Sequence, residues 1–259
     1  MTVDLEELRS ALSGDVLEPA DREYERARLC FNLLVDRRPT GIVRCLDASD
    51  VAKALAFAQA NDLEIAVRGG GHNPAGHCAV DDGLVIDLSR MRNVEVDREN
   101  GVAISEGGAT WLDFDTAAQA HGLATPGGVV GSTGVTGLTL GGGIGHLTAQ
   151  HGLTCDNLIA AELVTPAGEV IRASKAENPE LLWGLRGGGG NFGVVTRVEL
   201  RLHRVERVVG GRLDYEGEAV RGALRVFRDV DAEAGNEISV QCQISAKDDL
   251  TPTLVVVPC

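Results

Sequence analysis

Little in this 259-residue chain is aromatic: Phe, Trp and Tyr together make up 3%. The core has to come mainly from Val, Leu, Ile and Ala. Lysine is also scarce, with Lys53, Lys175 and Lys247 the three present. Acidic residues number 38 against 24 basic ones, giving a formal charge of −14. Such a surface repels phosphodiester backbones and argues against a nucleic-acid partner. It suits a high-salt cytoplasm or a high-GC bacterial genome equally. The six cysteines are scattered and form no CxxC pair, which predicts neither a metal site nor a disulfide framework. No apolar run approaches the ~20 residues of a membrane span. The acidic start, Val3-Asp4-Leu5-Glu6-Glu7, has no apolar signal core. The expectation is a soluble cytoplasmic protein with no membrane partner.

What the chain has in excess is glycine: 33 residues, well above the usual ~7%. They cluster at 69–71, 127–145 and 187–193, which predicts loops shaped around a ligand. The first cluster reads Val67-Arg68-Gly69-Gly70-Gly71-His72-Asn73 and directly follows the run Leu63-Glu64-Ile65-Ala66. Three residues without a Cβ turn sharply and can aim successive N–H groups at one anion. His72 then stands where a bound ligand passes, a nucleophilic imidazole beside a phosphate cradle. The alternative, for this heptapeptide alone, is a tight turn with a surface histidine.

The second block, Pro126 to Gly145, interleaves glycine with Val, Leu and Ile. It is too apolar for a flexible linker and too rich in glycine for a regular element. It predicts a long ordered loop lying flat against a planar ligand; a glycine-zipper packing segment is the alternative. A third block runs from Arg186 to Val195. Neither a GxGxxG fingerprint between strand and helix nor a GxxxxGK[ST] phosphate loop is present.

The remaining pattern is mixed. Residues 1–36 read as helical and amphipathic, ending at Arg37-Arg38-Pro39. Gly41–Cys45 reads as a strand, and Asp47 to Asp50 offer N-caps for a helix through Val51, Leu55 and Ala60. Leu63–Val67, Leu84–Leu88, Val94–Val96 and Val102–Ile104 follow as strands. Thr110 caps a helix running to His121, with Gly122 fitting its end. Leu158–Thr165 and Glu169–Ala173 form a hairpin, and Asn178-Pro179 starts a short helix. Val194–Leu202 alternates as a half-buried strand. Beyond about residue 206 come a strand at Val208–Leu213, a helix through Ala219, Leu224 and Phe227, and strands at Ile238–Ile244 and Leu254–Val257.

Trp111 and Trp183 are expected in the core. Asp113 and Asp115, two apart, do not face each other on a helix and read as solvated surface. His121 ends a helix and reads as structural. His151 is open between a catalytic and a structural role, and Asp156 between a cofactor contact and a turn cap.

Taken in order, the glycine blocks resemble the FAD-binding domain of the vanillyl-alcohol-oxidase/PCMH superfamily, and most of all its berberine-bridge-enzyme-like oxidases. The segments that carry the resemblance are Arg68 to Asn73, Asp82 to Ser89, Pro126 to Gly145, Gly152 to Asn157 and Leu185 to Val195. It implies an α+β fold: a 1–36 N-terminal helical segment, a PCMH-type FAD-binding domain over 37–206, and the start of an incomplete antiparallel-sheet substrate domain over 207–259. The implied cofactor is FAD, held by Arg68, Gly69, Gly70, Gly71, His72, Asn73, Gly76 and His77 of the first block, His77 through its backbone. From the second block come Pro126, Gly127, Gly131, Ser132, Thr133, Gly134, Gly137, Gly141, Gly142, Gly143 and Gly145. Asp156, Asn157, Gly193 and Val194 complete the set.

In such proteins the histidine matching His72 is commonly bonded to the flavin 8α carbon. Val130 stands where some relatives carry a second, cysteinyl bond, so a single covalent bond is implied. The implied activity is an FAD-dependent oxidoreductase passing hydride from a CH–OH or related donor on a small molecule to flavin N5. Oxygen or another acceptor reoxidises the flavin. Two alternatives stay open: a truncated FAD-binding protein without catalysis, and a non-covalent NAD(P)H-dependent flavin reductase. No catalytic base is identified from the sequence, and self-association through the incomplete C-terminal sheet is expected.

Overall fold

The first long helix starts where local chemistry requires it. The Asp47 carboxylate accepts from the Asp50 N–H at 2.9 Å, capping α3 (Ala48–Ala60). The computed structural model describes residues 3–205 and 207–259; Met1, Thr2 and Glu206, which fall at the ends of the expected segments, lie outside the described residues. The elements before α3 are α1 (Glu6–Ala11), β1 (Asp15–Leu17), α2 (Tyr24–Ala27) and β2 (Gly41–Arg44). After it come β3 (Ile65–Arg68) and β4 (Leu84–Asp87).

These strands form one sheet in the order β1-β2-β4-β3, parallel except for β1. Alternation sends Val43, Leu84 and Ile86 to the face covered by α3, against Val51, Ala54 and Ala58. Ile42, Ala66 and Val85 face the other way, against Tyr24 and Ala27 of α2. Covering both faces explains why these strands read as nearly continuous apolar runs.

A second sheet follows. Its strands are β5 (Val94–Asp97), β6 (Val102–Glu106), β8 (Leu158–Val164), β9 (Val170–Ser174) and β10 (Val194–Arg201). The order is β5-β6-β10-β8-β9, antiparallel throughout. Its core holds Trp111 and Phe114 of α4 (Trp111–Gln119), edge to face at 5.3 Å, with Leu158, Leu163 and Leu200 of the sheet. Leu182 and Leu185 of α7 (Pro179–Leu185) join them. At the start of α4 the Asp113 carboxylate accepts from the Thr110 N–H at 2.8 Å and from its hydroxyl at 2.7 Å. A two-stranded pair, β7 (Leu123–Ala124) with β11 (His203–Arg204), leads toward the C-terminal part. There β12 (Leu213–Glu216), β14 (Pro252–Pro258) and β13 (Val240–Ala246) pair antiparallel in that order, with α8 (Ala219–Glu233) on one face.

The fold is α+β, as expected, with five local differences. Residues 3–36 are helical in α1 and α2 only. The Asp50 carboxylate takes the Ser13 and Gly14 amides at 2.8 and 3.0 Å, which ends any helix there and lets β1 pair with the edge of β2. The second glycine block is not all loop. It contains α5 (Val135–Leu140), followed by α6 (Thr148–His151). Burial of Val135, Thr136, Thr139 and Leu140 on one side overrides the weak helix propensity of the segment. Trp183 is 77% exposed, because α7 turns Leu182 and Leu185 inward instead. The strand expected at Val208–Leu213 begins only at Leu213. Asp113 and Asp115 are not simply solvated. Asp113 accepts from Arg92 and Thr110, and burial raises the Asp115 carboxyl to about 6.

Candidate functional site

Strands β2, β4 and β3 end in register at Arg44, Asp87 and Arg68. The carboxyl ends of parallel strands are where open α/β sheets place ligands. A cavity of about 460 Å³ opens there, lined by Gly69, Gly70, Gly71, Ser89, Gly108 and Thr110. Its charged lining is Arg26, Arg44, Arg68 and Arg92 against Glu23 and Asp87. This basic hollow stands in a chain of formal charge −14. Arg44 is matched by Glu23 at 2.6 Å, and Arg92 is held by Asp113 at 2.7 Å. Arg68 differs. It is 7% exposed; its Nη1 meets the Ala27 carbonyl and lies 3.9 Å from Asp87, while Nε and Nη2 are buried without a partner among the described residues.

The first glycine loop continues from β3. None of the main-chain N–H groups from Gly69 to Asn73 donates to an acceptor among the described residues. Five successive amides without a protein acceptor, beside a guanidinium whose Nε and Nη2 are unpartnered, are a donor set suited to an anion. The loop is pressed against the second block. A Cβ on Gly70 would lie 2.3 Å from the Gly134 nitrogen, so the two glycines meet backbone to backbone. Thr110 and Gly134 form an isolated bridge on the same side.

His72 sits at this junction. Its Nε2 is 2.9 Å from Ser132 Oγ, and its Nδ1 is 3.3 Å from Thr133 Oγ1. One ring nitrogen donates and the other accepts, so the two hydroxyls fix the ring's rotation. Phe31 stacks on the ring with centroids 4.4 Å apart and planes 16° from parallel. Burial lowers the His72 pKa, which favours the neutral imidazole.

The expected site residues fall into groups. Arg68 to His72 and Ser132 to Gly134 are brought together at this junction. Asn73 uses its side-chain oxygen on the Ala75 and His77 amides, so the His77 N–H on which the sequence reading relied is engaged within the loop. Gly76 turns away, with the Val35 side chain 2.7 Å from where its Cβ would be. Pro126 and Gly127 lead onto the Trp111 indole, which would touch a Cβ at Gly127 within 2.4 Å.

Gly131 packs near Leu112, and Gly137 and Gly141 have open space or only their own helix around them. The Gly142 and Gly143 carbonyls accept from the Cys155 and Thr154 amides at 2.8 and 3.0 Å, and Gly145 lies against the Gly127 carbonyl. Gly189 donates to the Leu140 carbonyl at 2.9 Å, which joins the third block to the end of α5. Gly193 abuts Val164 O, and the Val194 side chain is buried in the core beside β8.

Asp156 accepts from the Leu153 amide at 2.8 Å and caps a 3-10 turn, Thr154–Asn157. Asn157 donates to the His151 and Leu153 carbonyls, and its Oδ1 lies 2.7 Å from His203 Nε2. His151 stacks on His203 at 3.8 Å, and burial together with His151 lowers the His203 pKa. Sequence reasoning missed Phe31, which lies outside every glycine block. It also missed the buried, unpartnered hydroxyls of Thr136, inside the second block, and of Thr154, which packs against Gly143 of that block.

The chain matches the model of the FAD binding domain family over residues 39–174. It is 36% identical over 249 residues to the (R)-6-hydroxynicotine oxidase of Paenarthrobacter nicotinovorans, covering 95% of this chain and 54% of that protein. It is 38% identical over 226 residues to the FAD-linked oxidoreductase pgmH of Aspergillus terreus, covering 86% and 46%. Crystal structures agree. The 6-hydroxy-D-nicotine oxidase of Arthrobacter nicotinovorans superposes with a TM-score of 0.91 at 36% identity, over 95% of this chain and 55% of that one. The carbohydrate oxidase of Microdochium nivale gives 0.84 at 25% identity, over 98% and 55%. The chain thus spans about half the length of the relatives it matches. The chain belongs to the FAD binding domain family, within the superfamily its glycine blocks resemble.

Proposed function

We propose that this chain is the cofactor-bearing part of an FAD-dependent oxidoreductase and that FAD is attached covalently to His72. The observation that carries the reading is the His72 imidazole held between Ser132, Thr133 and Phe31, directly beside five loop amides without a protein acceptor among the described residues. The residues present fit a dinucleotide. Gly69 to Asn73 offer N–H groups for a diphosphate, and the unpartnered Arg68 donors supply positive charge that no carboxylate fully matches. The buried Thr136 and Thr154 hydroxyls supply further donors for the cofactor's polar edges. When bound, the flavin supplies the two-electron chemistry, accepting hydride from a CH–OH or related donor and passing electrons to oxygen or another acceptor.

The protein's task is to orient that ring, exclude water from one face and keep His72 unprotonated. Relatives named for oxidising hydroxynicotine and carbohydrates support a small-molecule donor. Val130, 48% exposed, offers no sulfur for a second attachment, which supports one bond. Among the described residues no helix is long and apolar enough to cross a membrane. Two edge strands, β12 and β13, leave hydrogen-bonding groups that support self-association.

The test is acid precipitation of purified wild-type and His72→Ala protein. Wild type should carry its yellow colour into the pellet and fluoresce on a denaturing gel. The variant should release any flavin into the supernatant. A colourless wild-type pellet would overturn the covalent assignment and favour the reductase alternative.

A further inference from the structure

We infer that Cys30 and Cys78 form a dithiol/disulfide couple that clasps the segment bearing Phe31 onto the loop bearing His72. Their sulfurs lie 3.4 Å apart, and each residue is 5% exposed. A disulfide needs about 2.05 Å between sulfurs, a closure within reach of small side-chain rotations. The two cysteines close one end of a longer seam. Phe31 N–H donates to the Gly71 carbonyl at 3.0 Å, and Asn32 Nδ2 donates to the Pro74 carbonyl at 2.9 Å. Val35 fills the space beside Gly76. Two stretches far apart in sequence are therefore zipped together along their length, with paired sulfurs at the base and the Phe31–His72 stack beside them.

No other cysteine shares this arrangement. Cys45 and Cys155 are buried singly, and Cys242 and Cys259 lie in the C-terminal sheet or at its end. Burial and the hydrogen bond from Cys30 push the Cys78 thiol up to about 11, so thiolate is scarce at neutral pH and oxidation of the pair is slow there and faster at alkaline pH. The oxidant class is a peroxide. One thiol gives up its proton and its sulfur attacks a peroxide oxygen; the O–O bond breaks, the sulfur becomes a sulfenic acid, and the hydroxide released takes up that proton as water. The second thiol then attacks that sulfur and expels another water. Net, two thiols and hydrogen peroxide give one disulfide and two waters, and the sulfurs lose the two electrons that the peroxide gains.

The test uses the full chain with Cys242→Ser and Cys259→Ser, so that the exposed and terminal thiols make no links between chains. Treatment with hydrogen peroxide should lower the intact mass by about 2 Da, and dithiothreitol should reverse it. A non-reducing tryptic map should join peptide 29–37 to peptide 69–90, whether or not His72 carries flavin. Oxidation should raise Tm by about 5 °C. Adding Cys30→Ser or Cys78→Ser should abolish the linked peptide. Recovery of both peptides as free thiols, a linkage to Cys45 or Cys155, or oxygen addition at single sulfurs without linkage would each overturn the inference. If a serine variant fails to fold, the map of the parent still decides.

Discussion

The two ends of this molecule are built on different scales. Up to about residue 205, two sheets and their helices bury large side chains: Trp111, Tyr24, Phe114, Leu158 and Leu200 are almost fully inaccessible. Beyond it, among the described residues, Val220, Leu254 and Val256 are the buried apolar side chains. Val209, Leu213, Val226, Ile244 and Leu250 stay exposed there. The first region encloses a large apolar core beneath its glycine loops. The second has one helix on one face of three strands. A cofactor cradle needs the first kind of support, because its backbone groups are kept free for a ligand instead of for one another.

That contrast can be broken by large-to-small substitutions. Trp111→Ala removes the indole on which Gly127 and Gly128 rest. It should cost about 3–5 kcal/mol, read as a lower urea midpoint, and should lower the fraction of protein that incorporates flavin. Leu254→Ala should cost about 2–3 kcal/mol in the C-terminal sheet and leave flavin absorbance unchanged. Loss of flavin from the Leu254 variant would show that the two regions are not energetically separate.

The comparison sharpens with charge. Burial raises the Asp115 carboxyl to about 6, above its unfolded value near ~3.9. The folded state therefore holds the proton more tightly. The stability this provides is full below about pH 4 and is lost as pH rises through about 6. Asp115→Asn should match wild type at pH 4 and exceed it at pH 7 by about 1 kcal/mol, partial exposure reducing the full desolvation cost. Equal urea midpoints at both pH values would contradict the burial of this carboxyl. A smaller effect is expected at the start of α4: Asp113→Ala should cost about 0.5 kcal/mol through loss of the acceptor for the Thr110 N–H. At the other end, Ile244→Lys on edge strand β13 should lower any self-association seen by sedimentation without changing the spectrum.

How legible all this was in the sequence depended on distance along the chain. The Asp47 cap, the Thr110 start of α4, the β8–β9 hairpin and the turn out of β3 are encoded within a few residues, and the structure has an element at each. The helix inside the second glycine block was hidden because tertiary burial, not propensity, forms it. Trp183 is hydrophobic yet exposed, because a helix of two turns has room for only one inward face, filled by Leu182 and Leu185. Phe31 and Cys30 carried no local signal. Their partners His72 and Cys78 lie in another element, and only the folded chain shows the seam.

The proposal stands or falls on where the flavin is attached. Tryptic digestion of acid-denatured protein yields a 69–90 peptide with His72 and a 99–172 peptide with Val130 and Cys155. Mass spectrometry should find the flavin on the first alone, and on neither peptide in His72→Ala. Flavin on the second peptide, or on no peptide of the wild-type protein, would contradict it.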